Sequence, residues 1–237
     1  SDNVPAKQAC SGISIKINQY IEYTDKINEH IILAANIGIP EAQYYLSFSD
    51  LLDNINKKIH YLILAANQDF TDALFDLGSC YLLGKYIQQD IEKGLSLITK
   101  AANKNHSNAQ YELGKILIKG QFCEKNIQRG IEYIKRAANQ INIDALHHLG
   151  SIYYDGEIVK QDTNMAITYL SIAENNKDAK AINLLGVIYY EGKYINKNLK
   201  KAQNYFQKAA DLNNPEAQYN LGTIYFDKNN SEYDIDM

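Results

Sequence analysis

Several residue types are scarce in this chain of 237 residues. It has no tryptophan, three prolines and three cysteines, and 24 basic residues stand against 28 acidic ones, for a formal net charge of −4. Three cysteines do not form the even set that a disulfide framework needs. The lysines and arginines are spread singly along the chain, whereas phosphate binding needs a concentrated basic surface. We therefore expect no nucleic-acid partner.

Long apolar runs are also missing. The longest, IILAA at 31–35 and YLILAA at 61–66, are far shorter than the ~20 residues that span a bilayer. We expect no membrane-spanning segment and a soluble chain that is a monomer in isolation. Its location stays open, because a chain that opens with Ser1 rather than Met could have lost an export signal and be periplasmic, surface-bound or host-directed.

One short pattern, in contrast, returns at a fixed interval. DALFDLG at 72–78 is followed by NAQYELG, DALHHLG, KAINLLG and EAQYNLG. Their last residues are glycines, each 36 residues after the one before: Gly78, Gly114, Gly150, Gly186 and Gly222. Self-similarity at a constant period indicates one structural unit, copied and stacked.

Each copy predicts two helices joined by a turn. Ala73, Leu77 and Cys80 share one face of the first helix, helix A, by the i, i+4, i+7 rule. An alanine pair such as 101–102 marks the second, helix B. Glycine suits the end of helix A and an aspartate or asparagine suits the start of helix B. These markers are Gly84, Gly120, Gly156 and Gly192, with Asp90, Asn126, Asp162 and Asn198.

The mid-helix glycines and the cysteines allow predictions about packing. Glycine inside a helix costs ~1 kcal/mol relative to alanine, so five such glycines indicate closely packed helix axes. Cys80 and Cys123 stand in columns that hold isoleucine or valine in other copies, and Cys10 stands where other copies have leucine. We therefore expect all three to be buried, unpaired thiols, since free cysteine behaves as a small hydrophobe.

The ends of the ladder are less regular. Ser47 and Ala65 are 18 residues apart, whereas the equivalent Gly78 and Ala101 are 23 apart, which predicts a shortened turn in this copy. AKQACS at 6–11 looks like a degenerate first helix A. We expect one domain over residues 1–228, with about six repeats and about thirteen helices, the last repeat cut after its first helix. A polar acidic tail follows at 229–237.

The whole pattern resembles the Sel-one-like repeat, a branch of the tetratricopeptide-like superfamily. EAQYNLGTIYF at 216–226 and NLKKAQNYFQKAADLNNPEAQ at 198–218 match it closely, and the resemblance covers nearly the whole chain. The chain departs from it in lacking the family's tryptophan and second turn glycine, which Tyr86 and Phe122 replace in two copies. The resemblance implies an all-α fold, a right-handed α-solenoid of stacked antiparallel helix pairs.

Signals of catalysis or metal binding are weak. GSCYLLGK at 78–85 resembles a phosphate-binding loop, but both glycines belong to the ladder and Tyr86 stands where Ser or Thr would bind Mg²⁺. His147 and His148 lie about 100° apart on a helix, which is poor geometry for chelating one ion. The sequence predicts no catalytic residue, metal site or cofactor, and we expect that the protein is not an enzyme.

In tetratricopeptide-like solenoids helix A lines the concave side. The resemblance therefore implies an inner wall of aromatic and aliphatic residues with a polar fringe. These candidate protein-binding residues are Phe75, Leu82, Tyr111, Lys115, Ile118, Lys119, His147, Tyr154, Asp155, Asn183, Tyr190, Glu191, Tyr219 and Phe226. Alternatively, the aromatics only stack against the next repeat. If they bind, Tyr154→Ala and Tyr190→Ala should weaken partner capture at little cost in stability.

Two functions are consistent with these features. The favoured one is a non-enzymatic scaffold or adaptor that holds a peptide or protein segment on its concave face. The resemblance implies such a role, in bacteria in envelope assembly, signalling, host interaction or virulence, and the abundant Asn, Lys, Ile and Tyr are typical of an AT-rich bacterial genome. The alternative is a regulatory or targeting module of a larger enzyme or complex.

Overall fold

A computed structural model describes the backbone of residues 26–233 and side chains as far as residue 226. Residues 26–36 are helical (α1). Eleven further helices follow: α2 Pro40–Phe48, α3 Ile55–Asn67, α4 Thr71–Leu83, α5 Ile91–Asn103, α6 Ser107–Lys119, α7 Ile127–Asn139, α8 Ile143–Asp155, α9 Thr163–Asn175, α10 Ala179–Glu191, α11 Leu199–Asp211 and α12 Pro215–Tyr233. The described residues contain no strand.

The fold is an all-α solenoid of consecutive helix pairs, as predicted. The described residues divide into two compact units, with the boundary between His106 and Ser107. In the first unit α2 pairs with α3 and α4 with α5; in the second, α6 pairs with α7, α8 with α9 and α10 with α11, and α12 packs on α11. The predicted helix at 6–11 and Cys10 lie outside the described residues. Of the helices described, none is long and apolar enough to cross a membrane.

The predicted helix boundaries are confirmed. The Asp90 side chain accepts a hydrogen bond from the Lys93 backbone N–H at 3.0 Å. Asn126, Asp162 and Asn198 cap α7, α9 and α11 in the same way. Gly84 ends α4 in the left-handed region with φ of 64°, where only glycine avoids a Cβ clash. The helix ends are therefore set by residues inside each repeat.

Four of the five ladder glycines, Gly78, Gly114, Gly150 and Gly186, lie where helix A and helix B touch. A Cβ built on Gly150 would lie 2.5 Å from Cγ of Leu170 in α9, and one on Gly186 would lie 2.6 Å from the Phe206 ring in α11. Real Cβ atoms do not approach so closely, so a side chain at either position would force the helices apart. The predicted close packing is confirmed at these positions.

The copy formed by α2 and α3 is shorter than the others, as predicted, but its missing residues lie elsewhere than predicted. Helix α2 has nine residues where α4 and its equivalents have thirteen, and six residues, 49–54, link it to α3. The equivalent link between α4 and α5 has seven, 84–90. Most of the missing residues are therefore lost from the helix, and the prediction of a shortened turn was wrong in placing the loss there.

The two described cysteines also differ from their prediction. Both are free thiols, but each is half-buried rather than buried. For Cys123 the column itself explains this, because Ile87, Val159 and Ile195 are half-buried too. Cys80 is more exposed than its buried counterparts Ile116 and Ile152. Burial raises the pKa of the Cys80 thiol, which lowers its thiolate fraction and its reactivity.

Candidate functional site

The fourteen predicted binding residues differ widely in exposure. Four are buried: Leu82, Ile118, Tyr154 and Asn183. Five are half-buried: Phe75, Tyr111, Lys115, His147 and Tyr190. Five are exposed: Lys119, Asp155, Glu191, Tyr219 and Phe226. The exposed members on α10 and α12 have the surface that a partner could contact.

The buried aromatic and aliphatic members pack between helices. Leu82 lies against Gly94 of α5, and Ile118 lies against Gly130 of α7. Tyr154 is 8% exposed within the core around α8 and α9, and its hydroxyl donates to the Glu191 carboxylate. Because the ring is part of the core, the structure favours the alternative in which Tyr154 stacks between helices, and Tyr154→Ala is then expected to lower stability.

A small cavity lies among the last three helices of the second unit. Its volume is about 250 Å³. The residues that line it, called here the α10–α12 cluster, are Val187, Tyr190, Glu191, Phe206, Tyr219, Asn220 and Thr223. The Phe206 ring is buried, and its centroid lies 6.4 Å from that of Tyr190. Tyr219 is 77% exposed, so the cluster presents an exposed aromatic ring beside a recess.

Two hydrogen bonds tie α12 to α10 at the edge of this cavity. The Asn220 side-chain amide donates to the Asn183 side-chain oxygen at 3.1 Å, and the Asn183 amide donates to the Glu216 carboxylate at 3.3 Å. Asn183 is buried, and a buried amide without partners would cost free energy. Asn183 is thus a linking residue that fixes the register of α12, and Tyr219 follows on the same helix.

Exposed carboxylates lie on the neighbouring surface, together with the lysines Lys193 and Lys197. Asp155 and Glu191 are both exposed at the ends of α8 and α10. Burial, and then the nearby Glu157 and Glu191, raise the pKa of Asp155, which Lys193 opposes. The Lys197 ammonium lies 4.9 Å from the centroid of the Tyr190 ring, so a lysine of the chain itself already lies on one face of this ring.

Of the two predicted lysines of α6, Lys115 is compensated within the helix. Lys115 Nζ lies 2.8 Å from Glu112 Oε1 and 4.7 Å from the centroid of the Tyr111 ring. Burial raises the pKa of Tyr111 to about 12, and burial lowers the pKa of His147. The Glu112 carboxylate thus offsets the charge of Lys115, while Lys119 is exposed.

In the first unit, the predicted residue Phe75 is partly covered. Its ring centroid lies 5.0 Å from that of His106, at an interplanar angle of 33°. His106 Nε2 in turn lies 3.0 Å from Asp72 Oδ1. Within the described residues no cluster of three or more His, Cys, Asp or Glu side chains could hold a metal ion.

Sequence reasoning missed Phe206, which forms the floor of the α10–α12 cluster. It lies on a helix B, and the resemblance places helix B on the outside. A signal was present, because the same column holds Ile98, Ile134 and Leu170 in other copies. The larger ring at 206 reaches past Gly186, whose missing side chain leaves it room.

Comparison with known proteins places these features in a family. A profile of the Sel1 repeat matches residues 71–106, 107–142, 143–178, 179–214 and 215–227. A search of curated proteins finds no match. A solved structure of a protective antigen from uropathogenic Escherichia coli, described as having an SLR fold, is similar with a TM-score of 0.78 and 24% identity, over 84% of this chain and 44% of that one.

Two further solved structures are similar. A Sel1 repeat protein from Oxalobacter formigenes has a TM-score of 0.73 and 27% identity, over 82% of this chain and 57% of that one. A Sel1 repeat protein from Klebsiella pneumoniae has a TM-score of 0.54 and 22% identity, over 83% of this chain and 98% of that one. The chain thus spans about half the length of the first two. Because the profile matches cover more than half of its residues, the chain belongs to the Sel1 repeat family.

Proposed function

We propose that this protein is a non-enzymatic scaffold whose α10–α12 cluster binds a partner segment carrying an apolar side chain next to a lysine or arginine. Sel1 repeats are generally protein–protein interaction scaffolds. One observation carries the finer proposal: the exposed ring of Tyr219 borders a recess beside the Glu191 carboxylate.

The size of the recess favours a protein partner over a free small molecule. Sites for small ligands are typically ~300–1,000 Å³ and bury most of the ligand. A cavity of about 250 Å³ beside exposed rings suits a single anchoring side chain, with the rest of the segment lying on the surface. Tyrosine favours such contacts, because its ring has apolar area and a polar tip at low rotamer entropy.

The two exposed carboxylates favour a positively charged partner segment. Asp155 and Glu191 are exposed, so they attract a basic segment during encounter and add little affinity once bound. Salt screens exposed charges, and the association rate should therefore fall as ionic strength rises.

The relative from Oxalobacter formigenes supports a bacterial setting, in which we propose a role at the envelope or in host contact.

Selection from a random peptide library on the full chain tests the proposal. Selected peptides should be enriched in an apolar residue next to Lys or Arg, and Tyr219→Ala and Glu191→Gln should each weaken their binding. Tyr225→Ala is the matched control, because Tyr225 is 47% exposed on the same helix and does not line the cavity. Equal weakening by Tyr225→Ala, or peptides without basic residues, would contradict the proposal.

A further inference from the structure

A second cavity, of about 780 Å³, lies in the first unit next to the shortened helix α2. Four aromatic rings line it, those of Tyr44, Tyr45, Phe48 and Phe70. It also receives residues 49–51 from the link after α2. In the other copies helix A continues for another turn at this point, so the loss of that turn coincides with the opening. This set of four rings is called here the aromatic pocket.

The rings of the aromatic pocket stand at different angles around the open space. The Tyr44 centroid lies 5.2 Å from that of Phe48 at an interplanar angle of 68°, and 5.1 Å from that of Phe70 at 50°. Tyr45 and Phe48 are 53% and 57% exposed. More than one ring face is therefore available to a ligand at the same time.

The surroundings of the pocket are negative. Glu41 and Asp50 line it and are exposed, while the described lining residues include no lysine or arginine. Behind the rings, the Tyr44 hydroxyl donates to Asp76 Oδ2 at 2.7 Å. A phenol that donates to a carboxylate gains electron density on its ring, which strengthens its attraction for a cation.

Other tyrosines of the chain already have cations of their own. Lys93 lies 4.3 Å from the centroid of Tyr81, Lys201 lies 4.8 Å from that of Tyr189, and seven similar contacts occur elsewhere in the described part. No such contact is found among the described residues for the four rings of the aromatic pocket. These electron-rich faces are therefore available to a cation from outside the unit.

We propose that the aromatic pocket binds an organic cation, an alkylated ammonium or a guanidinium group, held against the ring faces with Glu41 and Asp50 at its mouth. Aromatic cages recognise such cations because the ring quadrupole attracts charge while the alkyl groups are buried. The cation could belong to a basic side chain of a partner segment or to a free quaternary ammonium compound. The two sources share this chemistry and are separated by the choice of probe.

A tryptophan reporter makes the pocket observable, since the chain has no tryptophan of its own. In the full chain, Phe48→Trp puts the ring type that binds cations best into the pocket. The probes are choline, N-acetyl-arginine amide and 3,3-dimethylbutan-1-ol, the uncharged carbon isostere of choline, at constant ionic strength. We expect saturable fluorescence change with a cation at millimolar concentration and at least about fivefold weaker binding of the isostere.

Two variants control the experiment. Leu83→Trp reports from an equally open position, 68% exposed on α4 of the same unit and outside the pocket, and should not saturate. Glu41→Gln with Asp50→Asn, added to the reporter, should weaken cation binding by about threefold and leave the isostere unchanged. If Phe48→Trp does not fold by circular dichroism, Tyr45→Trp replaces it as the reporter.

The outcomes separate the alternatives. Tighter binding of the arginine derivative assigns the cation to a partner's side chain, and tighter binding of choline assigns it to a free ammonium compound. Equal binding of choline and its isostere, or no saturation with either cation, would overturn the proposal. Neither result depends on the α10–α12 cluster, so this test and that of the scaffold function can fail independently.

Discussion

Helices α8 and α12 share one sequence pattern but have different surroundings. Gly150 of α8 is in tight contact with Leu170, whereas a Cβ built on Gly222 of α12 would meet no described atom within 4 Å. Tyr154 is 8% exposed and its counterpart Phe226 is 66% exposed. The repeat pattern determines which face of the helix is apolar, and the packing of neighbouring helices determines whether that face becomes core or surface.

The largest difference in stability is expected between alanine substitutions of Tyr154 and Phe226, which occupy equivalent positions in α8 and α12. Tyr154→Ala removes a core ring that also donates to Glu191, and truncating a buried aromatic typically costs ~3–5 kcal/mol. Phe226→Ala removes an exposed ring, and such surface changes are usually within about 0.5 kcal/mol. Urea unfolding of both variants measures the difference. Equal losses of stability would mean that Phe226 is as well packed as Tyr154.

Replacing Gly150 and replacing Gly222 with alanine should change the stability in different directions. Gly150→Ala puts a methyl group against Leu170, and overpacking of this kind costs ~1–3 kcal/mol. Gly222→Ala fills open space in a helix, where alanine is favoured over glycine by up to ~1 kcal/mol. Calorimetric melting of the two variants should show a lower midpoint for the first and an unchanged or higher midpoint for the second. A loss at both positions would show that α12 is covered as α8 is.

These pairs also show how much the sequence predicts. The caps Asp162 and Asn198 and the packing role of Gly150 were predictable, because each depends on contacts within one repeat. The burial of Tyr154 and the exposure of Tyr219 were not, because they depend on which helix covers each face. The aromatic pocket was missed for a related reason, since the residues lost near Ser47 were assigned to a turn rather than to the end of α2.

The links that precede α8 and α12 have different residues at one equivalent position, and exchanging these residues tests the effect of backbone strain on stability. Ile141 and Asn213 occupy the same column, and both have left-handed backbones, with φ of 59° and 61°. A β-branched residue is strained there by ~1–2 kcal/mol, while asparagine tolerates it. Because Ile141 is 56% exposed, Ile141→Asn should raise the unfolding free energy by ~1 kcal/mol, and Asn213→Ile should lower it by a similar amount. Changes of the same sign in both variants would contradict backbone strain as the cause.

The smallest expected difference is a dependence on pH. His147 and His148 of α8 correspond to Tyr219 and Asn220 of α12. Burial lowers the pKa of both histidines below the ordinary value of 6.5. Well above pH 6.5 both are neutral whether folded or unfolded, and their titration does not affect stability. As the pH falls below 6.5, the unfolded chain takes up protons first, so the folded state loses stability.

Thermal melting at pH 7.5 and pH 5.5 tests this dependence. The variant His147→Tyr with His148→Asn gives α8 the residues of α12 at these positions, and it should lose less stability on acidification than the natural chain. His148 Nδ1 is buried without a hydrogen-bond partner among the described residues, so its protonation would leave a buried N–H unsatisfied. His148→Asn alone should therefore account for part of the effect. An identical loss in the natural chain and the double variant would assign the acid sensitivity to other groups.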